Sequence, residues 1–212
     1  MTDKDWGKLV ESSLLRASTR PSGRAARVSR LNLAHSPTPF YCEGVSREIA
    51  LVPDPLRKLF RKAATEGIAW PLYLYGPAGT GKTCAVLALH DHAGGVYYSH
   101  SQFGAEAVLA MKGQLEWPWR KEQRMVSDLS FWKAIANCTL LTIDDVGTRA
   151  DVSDAAYDRF KRALDCREGK PTVVVSNFPL DVIAKIYDDR VASRLAAGTV
   201  EHIFGPDRRL DQ

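Results

Sequence analysis

The chain has 212 residues, 45% of them hydrophobic and 25% charged, with a net charge of +4. That is enough apolar material for a core burying roughly 70% of the unfolded surface, and it excludes wholesale disorder. No run of 18 apolar residues exists, Met1-Thr2-Asp3-Lys4-Asp5 leads into no apolar stretch, and Cys42, Cys84, Cys138 and Cys166 form no Cys-x-x-Cys; a membrane span, a secretory signal and a zinc finger are thereby excluded, and a cytoplasmic protein with reduced thiols is expected.

In chain order, residues 1–45 carry seven Lys and Arg against four Asp and Glu, whereas the remaining 167 carry 22 against 21. A flexible basic arm over 1–45 and an ordered body over 46–212 are therefore expected, the arm serving either as a solvated tail or as a segment for docking a partner. Of the 29 cations 18 are arginine, which pairs with phosphate as a two-pronged fork and favours a polyanion. Asp54-Pro55 predicts a helix start, with Asp54 as side-chain cap and Gly67 as the stop. Strands are expected at Leu72–Tyr75, Val96–Ser99, Leu140–Ile143, Thr172–Ser176 and Val200–Phe204. Helices are expected at Lys82–His92, Gln102–Lys112, Ser130–Ala136, around Ala156–Leu164, at Leu180–Tyr187 and at Arg190–Leu195. Alternation of this kind specifies an α/β fold with a parallel sheet wrapped by helices.

Gly76-Pro77-Ala78-Gly79-Thr80-Gly81-Lys82-Thr83 spells G-x-x-x-x-G-K-[ST] in full, between an expected strand and an expected helix. Glycines let successive N–H groups turn toward phosphates, and the helix N-terminus adds about half a positive charge. Lys82 suits the β- and γ-phosphates and Thr83 suits Mg²⁺. The loop through Cys84 is the expected phosphate-binding segment.

Leu140-Leu141-Thr142-Ile143-Asp144-Asp145 is an apolar strand ending in two carboxylates, about 60 residues after Lys82. Asp144 is expected to hold Mg²⁺ together with Thr83, and Asp145 to orient or deprotonate the attacking water. Asn177 ends the strand Thr172–Ser176 and is a candidate to align the water or touch the γ-phosphate. Arg190 and Arg194 stand one turn apart on a helix face. They suit either a neighbouring subunit's γ-phosphate or ion pairing with Asp188 or Asp189.

The ordered set GPAGTGKT, LLTIDD, PTVVVSN and DDRVASRL resembles an AAA+ ATPase of the DnaC/IstB-like helicase-loader branch, over roughly residues 45–209. The resemblance implies a five-stranded parallel P-loop NTPase sheet and ATP with Mg²⁺. It implies Asn177 as sensor and Arg194 as arginine finger, with Arg190 as the alternative. It likens the stretch between Ser99 and Leu140 to the helical insertion of initiators and loaders. The partners it implies are single-stranded DNA, a DnaB-like replicative helicase and further copies of the chain, with no membrane. Asp145 stands where many members carry glutamate, one methylene longer. Only 17 residues follow Leu195, too few for the helical lid, so no lid is expected.

Three weaker patterns remain. Trp117-Pro118-Trp119-Arg120-Lys121 suits base stacking or packing of the insertion. His90-Asp91-His92 suits a polar helix end better than a metal. Gly205-Pro206-Asp207-Arg208-Arg209 is a solvated tail by default, or a contact to DNA or a neighbour. The expected activity is that of a slow, partner-stimulated ATPase in helicase loading. The alternatives are an IstB-like transposition helper and an ATP-switched binding module with negligible turnover.

Overall fold

A computed structural model describes residues 52–117, 125–148 and 153–208. The basic arm, its boundary near residue 45, Trp119, Arg120, Lys121 and Arg209 lie outside the described residues.

The first helix, α1, runs Asp54–Thr65. Pro53, not Asp54, takes its cap position; Asp54 falls in the first turn and pairs with Arg57. The proline and the acidic first turn both suit a helix start, so the signal was right and its register off by one. Gly67 closes the helix at φ +82°, donating to Lys62 O at 3.1 Å.

Strand β1 (Leu72–Tyr75) leads through the glycine loop into α2 (Lys82–Ala93). Then follow β2 (Val96–Ser99), α3 (His100–Met111), the two-residue strands β3 (Leu115–Glu116) and β4 (Met125–Val126), and α4 (Asp128–Asn137). The chain continues through β5 (Leu141–Val146), α5 (Asp154–Cys166) and β6 (Thr172–Ser176). Helices α6 (Leu180–Ile186) and α7 (Asp189–Ala196) precede β7 (Thr199–His202). Side-chain caps set several helix starts. Ser99, Ser127 and Ser153 accept from the amides of Gln102, Ser130 and Ala156, and Asp188 accepts from Val191 N–H at 2.8 Å.

Five strands form one parallel sheet in the order β2-β5-β6-β1-β7. Strand alternation sends side chains to two cores. On one face Leu72, Leu74, Val173 and Val175 meet Leu56 and Phe60 of α1 and Val86 and Leu89 of α2. On the other, Tyr73, Ile143 and Val174 meet α3 to α7 through Phe103, Phe131, Phe160, Ile183 and Leu195. Each such buried side chain contributes about 1.5–3 kcal/mol. The helix after β1 thus covers one face and the helices after β5 and β6 cover the other. Neighbours β1 and β6 straddle the place where connections part, the crevice in which open parallel sheets seat ligands.

Between β2 and β5, Glu106 organises the inserted helices. It accepts from Tyr98 OH at 2.8 Å, Trp117 Nε1 at 3.2 Å and Gln102 Nε2 at 3.1 Å. Trp117 is buried against Phe131, so its ring packs the insertion. Among the described residues no helix is long and apolar enough to cross a membrane.

Arg167 is 2% exposed and ties the far end of the sheet together. Its guanidinium donates to Cys138 O at 2.6 Å, Ile135 O at 3.3 Å, Thr172 Oγ1 at 3.2 Å and Pro171 O. Burial pulls its pKa down, yet the carbonyl oxygens of Ile135, Cys138 and Pro171 compensate the charge. Removing the donors strands those oxygens away from water. Arg167→Leu is expected to cost about 3 kcal/mol in urea unfolding. Unchanged stability would show that the guanidinium is replaceable packing.

Candidate functional site

The phosphate-type loop begins where β1 ends. Gly79 (φ +76°) and Gly81 (φ +90°, the N-cap of α2) adopt the left-handed backbone that residues with a Cβ avoid. Thr80 Oγ1 closes the loop on Pro77 O at 3.0 Å. Lys82 is 6% exposed, and its Nζ donates to Gly76 O and Pro77 O, each at 2.7 Å. The ammonium is thereby held within the curl, beside the positive end of the α2 dipole. Two sources of positive potential converge on one concavity, the arrangement that binds phosphate or carboxylate.

Sixty-one positions on from Thr83, Asp144 comes from β5 to meet it: Thr83 Oγ1 donates to Asp144 Oδ2 at 2.8 Å. Tyr97 of β2 donates to the same oxygen at 2.6 Å, and Asp145 N–H donates to Oδ1 at 2.7 Å. Asp144 is 1% exposed, and burial pushes its pKa up, against the pull of the Tyr97 and Thr83 hydroxyls. Hydroxyl and carboxylate oxygens are the hard donors that Mg²⁺ prefers, so the pair fits that ion. No group of three or more His, Cys, Asp or Glu suited to a metal occurs among the described residues. His90 instead bonds Thr142 Oγ1 at 2.8 Å in the core.

Asp145 departs from regular strand geometry. Between the pairs Ile143–Val174 and Val146–Ser176, β5 holds two residues where β6 holds one. This bulge places Asp145 at φ +59° and leaves its side chain exposed beside buried Asp144. Thr148 Oγ1 donates to Asp145 O at 3.1 Å and steadies the turn.

Asn177 follows Ser176, which is in register with Tyr75 on one side and Val146 on the other. It is exposed at the strand ends, between the glycine loop and the Asp144–Asp145 pair. Ser176 Oγ donates to Val146 O at 2.7 Å, and Tyr73 OH donates to Phe178 O at 2.6 Å, fixing the backbone around Asn177.

Lys82, Thr83, Asp144, Asp145 and Asn177 thus gather at the C-terminal edge of the sheet. Arg194 does not, and Arg190 stands at the start of α7, where its charge acts on the neighbouring Asp188. Arg194 pairs with Asp165 of α5 and lies on a 390 Å³ cavity with Trp70, Pro71 and Thr172, residues at the opposite strand ends. Asp188, a pairing candidate from sequence, caps α7 and accepts from Tyr157 OH at 2.7 Å, and, against burial, the Tyr157 hydroxyl and the Arg190 charge both pull its pKa down.

One feature escaped the sequence. The segment after β7 is not a solvated tail: Arg208 N–H donates to Gly79 O at 3.1 Å, and the Asp207 carboxylate lies against Gly79. Nothing in Gly205-Pro206-Asp207-Arg208 signals this, since the contact depends on where β7 ends.

No protein-family model and no curated protein matches the chain. Solved structures do. DnaA bound to AMPPCP and single-stranded DNA superposes with a TM-score of 0.59 at 22% identity, over 77% of this chain and 50% of that one. DnaI superposes at 0.52 and 22% identity, over 78% of this chain and 90% of that one. The DnaC helicase loader superposes at 0.51 and 19% identity, over 63% and 77%. The chain spans about half the length of DnaA. These likenesses show the fold alone, a five-stranded parallel sheet with flanking helices.

Raised above the unfolded value of about 3.9, the Asp144 pKa makes the folded state hold its proton to higher pH than the unfolded chain does. Stability from this group is present at low pH and is lost as pH rises through that window. An amide avoids the loss and still accepts from Asp145 N–H while donating to Thr83 and Tyr97. Asp144→Asn is therefore expected to raise the ligand-free melting temperature at pH 7 by about 2–4 °C. It should also weaken Mg²⁺-dependent nucleotide binding at least tenfold, by about 1.4 kcal/mol. A lowered melting temperature would show that the ionised carboxylate is a net stabiliser.

Proposed function

We propose that the chain binds ATP with Mg²⁺ at Gly76–Cys84 and Asp144, hydrolyses it, and serves DNA replication as a helicase-loader type ATPase. The observation that carries the ATP site is the Thr83–Asp144 hydrogen bond at 2.8 Å beside the curled loop that holds Lys82. It brings a phosphate cradle and a hard-oxygen pair together from residues sixty-one apart.

Lys82 turns from the loop carbonyls to the β- and γ-phosphates, and the N–H groups opening α2 bind the same oxygens. Thr83 and Asp144 would hold Mg²⁺, which would supply charge neutralisation for the phosphates. Asp145 accepts a proton from the attacking water, and Asn177 aligns that water against the γ-phosphate. Arg194, at the far end of its own sheet, serves the site of an adjoining copy and leaves Asp165 to do so. An arginine supplied in this way is worth 10³–10⁵ in rate. Arg190, one turn away, is the alternative donor.

Single-stranded DNA and a DnaB-like helicase are the proposed partners. The likeness to DnaI, the DnaC helicase loader and DnaA with single-stranded DNA supports this. The arm 1–45, by its charge, is the proposed docking segment and 46–212 the ATPase body. A second reading, an ATP-switched module with negligible turnover, is favoured by Asp145, whose short side chain stands on a bulge.

ATPase activity measured with and without single-stranded DNA and the replicative helicase tests the proposal. Lys82→Ala is expected to abolish activity in every condition. Arg194→Ala should bind ATP yet lose at least 10³ in rate. Mixing the two variants should restore part of the activity, because each supplies what the other lacks. No restoration would sink the shared site, and turnover that stays slow with both partners present would select the switch.

A further inference from the structure

The chain does not leave the molecule after β7. Ile203 N–H donates to Tyr75 O at 2.7 Å, and Ile203 is buried under α1 and α2. The next five residues cross the glycine loop. Arg208 N–H is anchored on Gly79 O. A Cβ built on Gly79 would lie 1.8 Å from Asp207 Oδ1, 2.1 Å from Cγ and 2.7 Å from Oδ2, so the carboxylate rests against the loop backbone. The Arg208 guanidinium lies alongside, with Nη1 3.8 Å from a Cβ built on Gly81, and its charge reaches the Cys84 thiol.

Gly79 occupies one of the variable positions of G-x-x-x-x-G-K-[ST], so phosphate recognition does not itself require glycine there. Its left-handed backbone (φ +76°) already favours glycine, and a Cβ there would in addition press on the Asp207 carboxylate, which would have to swing aside. The loop and the following segment are fitted to each other. On Gly79 the segment lays an anion, with the Arg208 cation farther along at Gly81, on a loop whose amides and helix dipole are built to attract anions.

We propose that Ile203–Arg208 is an autoinhibitory strap, in which the Asp207 carboxylate seated on Gly79 opposes the polyphosphate and must be displaced for nucleotide to bind. The inference rests on the reading of Gly76–Thr83 as a nucleotide site. Like charges a few ångströms apart beside a partly buried loop repel far more than they do in water. The strap thereby lowers nucleotide affinity, and nucleotide binding in turn releases the strap from the loop.

The test uses the full chain and the non-hydrolysable triphosphate AMPPCP with Mg²⁺. Titrations compare wild type, Asp207→Asn, Asp207→Glu and Lys82→Ala. Asp207→Asn removes the charge and keeps the shape, and is expected to tighten binding about tenfold, equivalent to 1.4 kcal/mol. Asp207→Glu keeps the charge and should stay within a few-fold of wild type. Equal affinity of wild type and Asp207→Asn, with binding lost in Lys82→Ala, overturns the strap and leaves the nucleotide site standing. Weaker binding by Asp207→Asn also overturns it, since the carboxylate would then be helping to hold the ligand. No binding by any form overturns both. Amide hydrogen exchange gives an independent readout: the Arg208 N–H is expected to be protected without AMPPCP and to lose that protection at saturation. Protection that persists at saturation overturns displacement.

Discussion

A buried carboxylate held by three neutral donors is the constraint on which the site depends. Asp144 ends up nearly sealed from water, with Thr83, Tyr97 and the Asp145 amide around it. Burying an ionisable group in this way works against its charged form. The fold tolerates it because the donors come from three separate elements and leave neither oxygen unpartnered. The same contacts lock α2 against β5 and β2, so the glycine loop inherits its position from the sheet. Distortion of that triad would move the loop, the carboxylate and the α2 N-terminus together.

The two-faced sheet explains why these groups meet at all. Connections leave β1 toward one core and leave β5 and β6 toward the other, which opens the sheet edge between β1 and β6. Lys82 and Asn177 come from the two sides of that opening, and Asp144 from the next strand. Arg194 sits at the other end of the same layer and is latched by Asp165. Burial opposes ionisation of Asp165, but hydrogen bonds from Lys161 and Arg194 overcome it and hold its pKa below the ordinary carboxylate value. Within one protomer the two halves of the proposed chemistry face opposite ways, which is what a ring or filament of like subunits requires.

Much of this was legible in the residues, and for a local reason. Val96–Ser99, Thr172–Ser176 and Leu72–Tyr75 are short apolar runs between glycines and helix caps, and each forms a strand over those residues. The glycine loop was legible because its spelling is dictated by backbone geometry. What escaped depended on distance along the chain. β3 and β4 are two residues each and carry no periodicity. Nothing in the spelling around Arg167 marks it as buried, and only the convergence of carbonyls from the end of α4 and from Pro171 makes it a core residue. The pairing of Arg194 with Asp165 and the seat of Asp207 are long-range contacts of the same kind. Asp54 failed as a cap by one position because Pro53 already meets the geometric need.

The bulge in β5 bears on which acid can follow Asp144. At φ +59° the backbone of residue 145 is one that most side chains resist and that aspartate and asparagine accept more readily than others. A glutamate there would bring its extra methylene to the chemistry but would sit on less hospitable backbone. Glycine would relax the turn and remove the acid. Shape and reactivity are thus coupled at a single position, and of the two acids the shorter is the one that this backbone carries with the smaller conformational penalty.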